Sequence, residues 1–283
     1  MAIMLVAGIV LSIFGVGSSL QANNVDLDLK SLLIICAVFG MTGSLFSLLS
    51  SKWMAKKSAG VQIISTPNNQ AERWLLDTVK NLADKANIGM PDVGIFNTQE
   101  ANAFATGWNK NNALVAVSTG MLSRFDKDEV EAVMAHEIGH VANGDMITLM
   151  LIQGIVNTFV MFFSRIIGHF IDRVILKNEQ GHGMGYIIGS LIAQVILGFL
   201  ASAITMWFSR WREYRADHAG ATLASRQGMI KALQRLKAES GQPSQMPDEL
   251  LAFGINTGSG LGLKELFASH PPLDKRIAAL QAG

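Results

Sequence analysis

The sequence predicts a mainly α-helical membrane protein, with four transmembrane helices in two hairpins and an α+β domain on the cytosolic side. Three observations carry this prediction. Of 283 residues, 49% are hydrophobic and 16% charged, with a mean hydropathy of +0.31. Soluble domains usually carry about 25% charged residues, so this chain has too much apolar surface for water alone. The apolar residues are concentrated in runs near the ~20 residues that cross a bilayer core of ~30 Å. Between the runs lie two polar stretches with helical and strand periodicity. The near-neutral charge, +1, argues against nucleic acid as a partner. A single cysteine, Cys36, inside an apolar run, permits neither an intrachain disulfide nor a Cys-based metal site.

The first hairpin occupies residues 1–51, with spans at about 1–20 and 31–51. Residues 1–20 carry no charge and lack the basic start of a secretory signal, so they read as a span. Their abruptly apolar beginning suggests that native residues precede Met1. The 21–30 loop holds Asp26 and Asp28, whereas Lys52, Lys56 and Lys57 follow the second span. The positive-inside rule then places Lys52 onward in the cytosol.

Residues 52–145 read as the first part of the cytosolic domain. Trp74, Leu75, Val79, Leu82, Ala83 and Ala86 form the stripe of an amphipathic helix over 71–86. Val93–Phe96 and Ala113–Val117 are β-prone, and Asn102–Gly107 (NAFATG) reads as a turn of small residues. A small sheet is expected ahead of the next helix, and its edge offers a place for an extended peptide. The second hairpin follows at 146–208, with spans at about 146–165 and 184–208, Arg165 snorkelling or facing protein. Arg210, Arg212 and Arg215 mark the return to the cytosol, and residues 209–283 complete the domain.

The chemistry is concentrated in five residues, His136-Glu137-Ile138-Gly139-His140. Asp126 and Glu129 open a helix as D-x-x-E, and Val130, Val133, Met134, Ile138 and Val141 recur behind them at helical spacing. At about 100° per residue the two histidines lie one turn apart on one face, so both imidazoles can reach one metal ion. Glu137 stands beside them to handle the proton of an activated water. This is the H-E-x-x-H pattern of zinc peptidases. A His₂Glu site needs one more carboxylate. Glu213 and Asp217 share a helix face at i, i+4 directly after the fourth run, which returns them to the membrane side of the motif. Asp145 follows the end of the motif helix and would need the chain to fold straight back. Glu213 is therefore expected on the metal, with Asp217, ~6 Å further along its helix, orienting a histidine from behind. His169, His182 and His218 are expected to be surface or packed residues.

The chain resembles the HtpX-like membrane zinc peptidases, relatives of the eukaryotic CAAX prenyl proteases. The resemblance rests on AHEIGH ending at His140, NGDM at 143–146, EYRAD at 213–217, NAFATG at 102–107 and SHPPLDKR at 269–276. It implies a zincin-like (gluzincin) metalloprotease domain with one Zn²⁺ per chain, bound by His136, His140 and Glu213. It also implies that Glu137 is the base, and that Asn102, His270 and Arg276 line the site and hold substrate or stabilise the transition state. The implied setting is the cell inner membrane with the protease domain facing the cytoplasm. The implied role is quality control of damaged membrane proteins in the stress response. Membrane-protein and peptide substrates, the lipid bilayer and other quality-control proteases are the partners to expect. The competing reading is a membrane scaffold with a structural zinc site, which gives the intact Glu137 no purpose. A transporter is disfavoured because the apolar runs carry almost no ionisable residues inside them.

Overall fold

A computed structural model describes residues 28–178, 183–239 and 269–282. The expected span at 1–20 and His182 lie outside these residues. Three described helices are long and apolar enough to cross a membrane: Leu29–Ser58, Asp145–Ile175 and Met184–Glu239. The chain divides into two compact units, one of Met1–Phe46 with Met150–Thr205, the other of Ser47–Leu149 with Met206–Gly283.

In the first unit, helix α1 (Leu29–Ser58) packs against the helix that begins at Asp145. Leu33 and Cys36 meet Phe162 and Ile166 in a small buried cluster. Contact between the two backbones is close because the residues there are small. A Cβ on Gly40 would stand 2.7 Å from Thr158 Oγ1, and one on Gly154 would stand 2.5 Å from Met41 Sδ. In lipid, where apolar contact with solvent costs nothing, such approach is what drives helix pairing. Several hydroxyls inside this unit bond to their own helices, as Thr158 Oγ1 does to Gly154 O at 2.8 Å and Ser44 Oγ to Gly40 O at 3.1 Å.

The second unit is a four-stranded sheet with helices on both faces. Its strands are β1 (Gln62–Ile63), β2 (Asp92–Phe96), β3 (Ala103–Gly107) and β4 (Ala113–Ser118), in the order β1-β2-β4-β3. β2 and β4 run parallel, and the other two pairings are antiparallel. β4 is apolar from Ala113 to Val117, because Val115 and Val117 belong to one core while Leu114 and Ala116 belong to the other. The end of α1 closes the second face through Ala55 and Ala59. On the first face lie α2 (Gln70–Lys85), α4 (Lys127–Asn143), α7 (Arg226–Glu239) and α8 (Leu273–Ala282). The short α3 (Thr119–Arg124) leads from β4 toward α4.

One local expectation is corrected. NAFATG does not form a turn: Ala103–Gly107 is the strand β3, buried along its whole length and paired with β4. Its alanines face α4, and small side chains there let the motif helix lie close to the sheet. Packing against a neighbour, not propensity, makes this segment a strand.

A His-His-Glu metal centre

Helix α4 starts at Asp126, whose backbone N–H donates to Glu129 Oε2 at 2.9 Å in a capping box. It ends at Gly144, in the left-handed conformation with φ 67°. Between these caps it is buried on almost every side, including His136, Glu137 and His140. The next helix but one, α6 (Met184–Gly220), crosses it at the motif, after the helix α5 (Asp145–Phe170) and its wide closing turn Ile171–Ile175. Glycines set how near α6 comes. A Cβ on Gly139 would stand 2.6 Å from Ala219 Cβ, and one on Gly220 would stand 3.2 Å from Ala132 O. This approach delivers Glu213 to the two histidines.

Glu213 Oε1 lies 3.3 Å from His140 Nε2, and Oε2 lies 3.6 Å from His136 Nε2. One ligand atom from each of the three residues falls within 4.8 Å of the others. A tetrahedral zinc with ligands at about 2.0–2.1 Å holds them about 3.3–3.4 Å apart, so the three groups fit such an ion. Several of the donor atoms make no well-formed hydrogen bond of their own. Among the described residues, His136 Nε2 and both Glu213 oxygens have no hydrogen-bond partner of good geometry, although all are fully buried. Unpaired buried donors and acceptors of this kind cost several kcal/mol unless something binds them, on the order of 1–3 each.

Each imidazole has its own carboxylate on the Nδ1 side. Asp217 Oδ1 lies 3.0 Å from His136 Nδ1, and Asp145 Oδ2 lies 2.7 Å from His140 Nδ1. These contacts select the tautomer that leaves Nε2 for a metal. Asp217 is gripped in turn by Arg276, whose Nε and Nη2 donate to its two oxygens, the former at 2.8 Å. Arg276 Nη1 also lies 3.3 Å from Glu213 Oε2, and His270 Nδ1 lies 2.7 Å from the same oxygen. Glu213 thus sits at the centre of four cationic or ionisable groups.

The electrostatics follow from this arrangement. Burial opposes charge on His136, but the Asp217 and Glu213 carboxylates outweigh it and lift its pKa to about 9. A field that holds a proton this firmly also favours a divalent cation. Burial would raise Glu213, yet His270, His136 and His140 hold it well below the usual carboxylate range. Asp217 falls to about 2, the guanidinium of Arg276 overcoming its burial. The same pairing, with help from Glu213 and Glu137, keeps fully buried Arg276 charged.

Six of the eight residues singled out from the sequence meet in this cluster: His136, His140, Glu213, Asp217, His270 and Arg276. Glu137 is buried beside the ligands and close enough to Arg276 to act on its charge. Asn102 has another setting, buried at the head of β3. Its N–H donates to Ser118 Oγ at 3.0 Å and its side-chain oxygen accepts from Ala103 N at 2.8 Å. Two residues escaped the sequence reading. Asp145 was weighed only as a metal ligand, whereas it supports His140; the signal was the left-handed Gly144 just before it. Arg212, read as one of a basic cluster, is buried with Nε 4.0 Å from Glu213 Oε1.

A sheet carrying an H-E-x-x-H helix, with a carboxylate brought to it by a second helix, is an arrangement that could hold a metal ion, as a metallopeptidase requires. The comparisons with known proteins agree. The model of peptidase family M48 matches residues 69–283. Protease HtpX of Pseudomonas fluorescens (strain Pf0-1) is 63% identical over 281 residues, covering 99% of this chain and 95% of that protein. Protease HtpX of Pseudomonas putida (strain W619) is 62% identical over the same extent. The crystal structure of S. mikatae Ste24p superposes with a TM-score of 0.61 at 19% identity, a likeness of fold spanning 98% of this chain and 63% of that one. The chain belongs to peptidase family M48 and is a metalloprotease.

Proposed function

We propose that this protein is a zinc-dependent endopeptidase of the cell inner membrane that cleaves misfolded or damaged membrane proteins on the cytosolic side. Its two hairpins (1–51 and 146–208) anchor the two parts of the protease domain (52–145 and 209–283). The observation that supports the reading is the convergence of Glu213 on the two histidines, with Oε1 3.3 Å from His140 Nε2 and Oε2 3.6 Å from His136 Nε2.

His136, His140 and Glu213 would hold the zinc, with Asp217 and Asp145 orienting the two imidazoles. When bound, zinc supplies a Lewis acid that lowers the pKa of a water from 15.7 toward about 7. Glu137 would accept the proton of the attacking water and pass it to the departing amine. Buried Arg276 acts by holding Asp217 and Glu213 in register, which keeps a positive charge within the site as oxyanion character develops. His270, against Glu213 Oε2, is placed to donate to the same developing charge. Asn102, where β3 begins, positions the strand against which an extended substrate lies.

The assignment of substrates is tested by mass spectrometry of membrane-protein fragments from cells carrying native protein or Glu137→Gln. The reading expects a set of cytosolic-side fragments of membrane proteins present with the native protein and missing with the variant. Identical fragment sets would overturn the quality-control role, and differences confined to soluble proteins would move the substrate class.

A further inference from the structure

The second unit buries its apolar side chains well, with few exceptions. Among its described residues, most exposed large apolar side chains sit on the long helices: Leu49, Trp53 and Met54 on α1, Ile147 on α5, and Trp207, Trp211 and Tyr214 on α6. Two do not, Met90 at 47% and Trp108 at 43% exposed. They belong to different segments but share one place. The Gly89 N–H donates to Asn111 Oδ1 at 2.9 Å, which holds the loop bearing Met90 against the β3–β4 turn bearing Trp108. The turn is tight: Gly107, at φ 145°, has no room for a Cβ, which would stand 2.6 Å from Asn112 O. Trp108, Lys110, Asn111 and Asn112 therefore project together from the end of the sheet.

The same turn is fastened to α1. Lys52 Nζ donates to Asn112 Oδ1 at 2.6 Å and lies 3.2 Å from Asp92, which Lys56 also contacts at 2.8 Å. Lys52 is the first charge after the uncharged stretch 31–51, whose 21 residues span about 31 Å at 1.5 Å each, the thickness of a bilayer core. Its neighbour Trp53 is 63% exposed, with the Lys57 ammonium 5.2 Å over its ring. Exposed tryptophans beside lysines mark the headgroup layer of a membrane. Lys52 is thus an interfacial residue, and whatever is bonded to it lies at the same depth.

We infer that the β3–β4 turn, with Trp108, Lys110 and Met90, is a membrane-contacting element of the protease unit that inserts its apolar side chains among phospholipid headgroups. The partner is the lipid surface itself, with the Lys110 ammonium facing lipid phosphates and the indole and thioether entering the boundary with the acyl chains. The inference rests on the membrane reading of α1.

The test uses full-length protein in vesicles of phosphatidylethanolamine and phosphatidylglycerol. Cys36 is replaced by alanine, and nitroxide labels are placed singly at 38, 80 and 108. Collision with oxygen and with a water-soluble nickel chelate reports depth. Val38 is exposed within the apolar run and Lys80 lies on the open face of α2. The label at 108 is expected to have an oxygen-to-nickel ratio between those two controls. Brominated lipids should quench less fluorescence in Trp108→Phe than in native protein, which checks the result without a label. A ratio at 108 equal to that at 80 overturns the proposal while leaving α1 in the membrane. A label shielded from both reagents overturns it in favour of a protein contact. A watery reading at 38 would remove the membrane reading and this inference with it.

Discussion

The two units invert each other. Around the metal site the charged groups are inside: His136, Glu213 and Arg276 are 0% exposed. Along the uncharged part of α6 the apolar groups are outside: Val195, Phe199 and Leu200 are 59–66% exposed. Neither pattern suits a protein folding in water alone, and each has its own cause. Buried charges are tolerated where they are paired, as Arg276 is with Asp217 and Glu213, and removing one partner strands the others. Exposed leucines and valines are stable where the solvent is hydrocarbon. The comparison teaches that burial alone does not measure fitness here; the surrounding medium decides which side chain is out of place.

Breaking the inverted core should have the largest effect. Glu213→Ala removes a ligand and leaves Arg276 and His270 facing an empty corner. Purified variant is expected to lack zinc by elemental analysis and to show no proteolysis above background. Breaking the inverted surface comes next. Val195→Arg places a charge near the middle of the 184–208 run, where insertion is opposed by about 2.5–3.5 kcal/mol. The expected readout is a loss of carbonate-resistant membrane protein. Asn81→Arg, on the exposed face of α2, is expected to change stability by no more than about 0.5 kcal/mol. Equal tolerance of the two arginines would contradict the contrast.

Smaller effects sharpen the picture inside the core. Losing a carboxylate behind a metal-bound histidine typically costs 10–100-fold in affinity or activity. Asp217→Ala should fall toward ~100-fold, because it also frees Arg276, and Asp145→Ala toward ~10-fold, because its contact is with His140. Zinc competition with a chelator measures both. The reverse order would show that the Arg276 contact contributes little to the site.

What could be read from the sequence follows from which interactions are local. The runs at 31–51, 146–165 and 184–208 announce themselves because hydrocarbon imposes ~20 apolar residues in succession, whatever the tertiary structure. The pairing of His136 with His140 is set by a single helical turn, and the offset from Glu213 to Asp217 likewise. β3 was misread because alanine, threonine and glycine say nothing about a strand until α4 lies upon it. Asp145 is disfavoured as a ligand in the sequence because a residue beyond a helix end is expected to point away. A left-handed glycine reverses the chain in one step and aims the carboxylate at His140 Nδ1. The placement of Arg276 and His270, more than 50 residues beyond Glu213, has no local signal, and only the resemblance of SHPPLDKR pointed to it.

The central claim is that Glu137 moves the proton while His136, His140 and Glu213 hold the metal. Purified Glu137→Gln, assayed for bound zinc and for casein cleavage beside native protein, tests it most directly. The account predicts one zinc per chain and a rate lower by at least ~10²-fold, the smaller end of what a general base contributes. A variant that keeps its zinc and cleaves at the native rate, or one that loses its zinc, would contradict that division of roles.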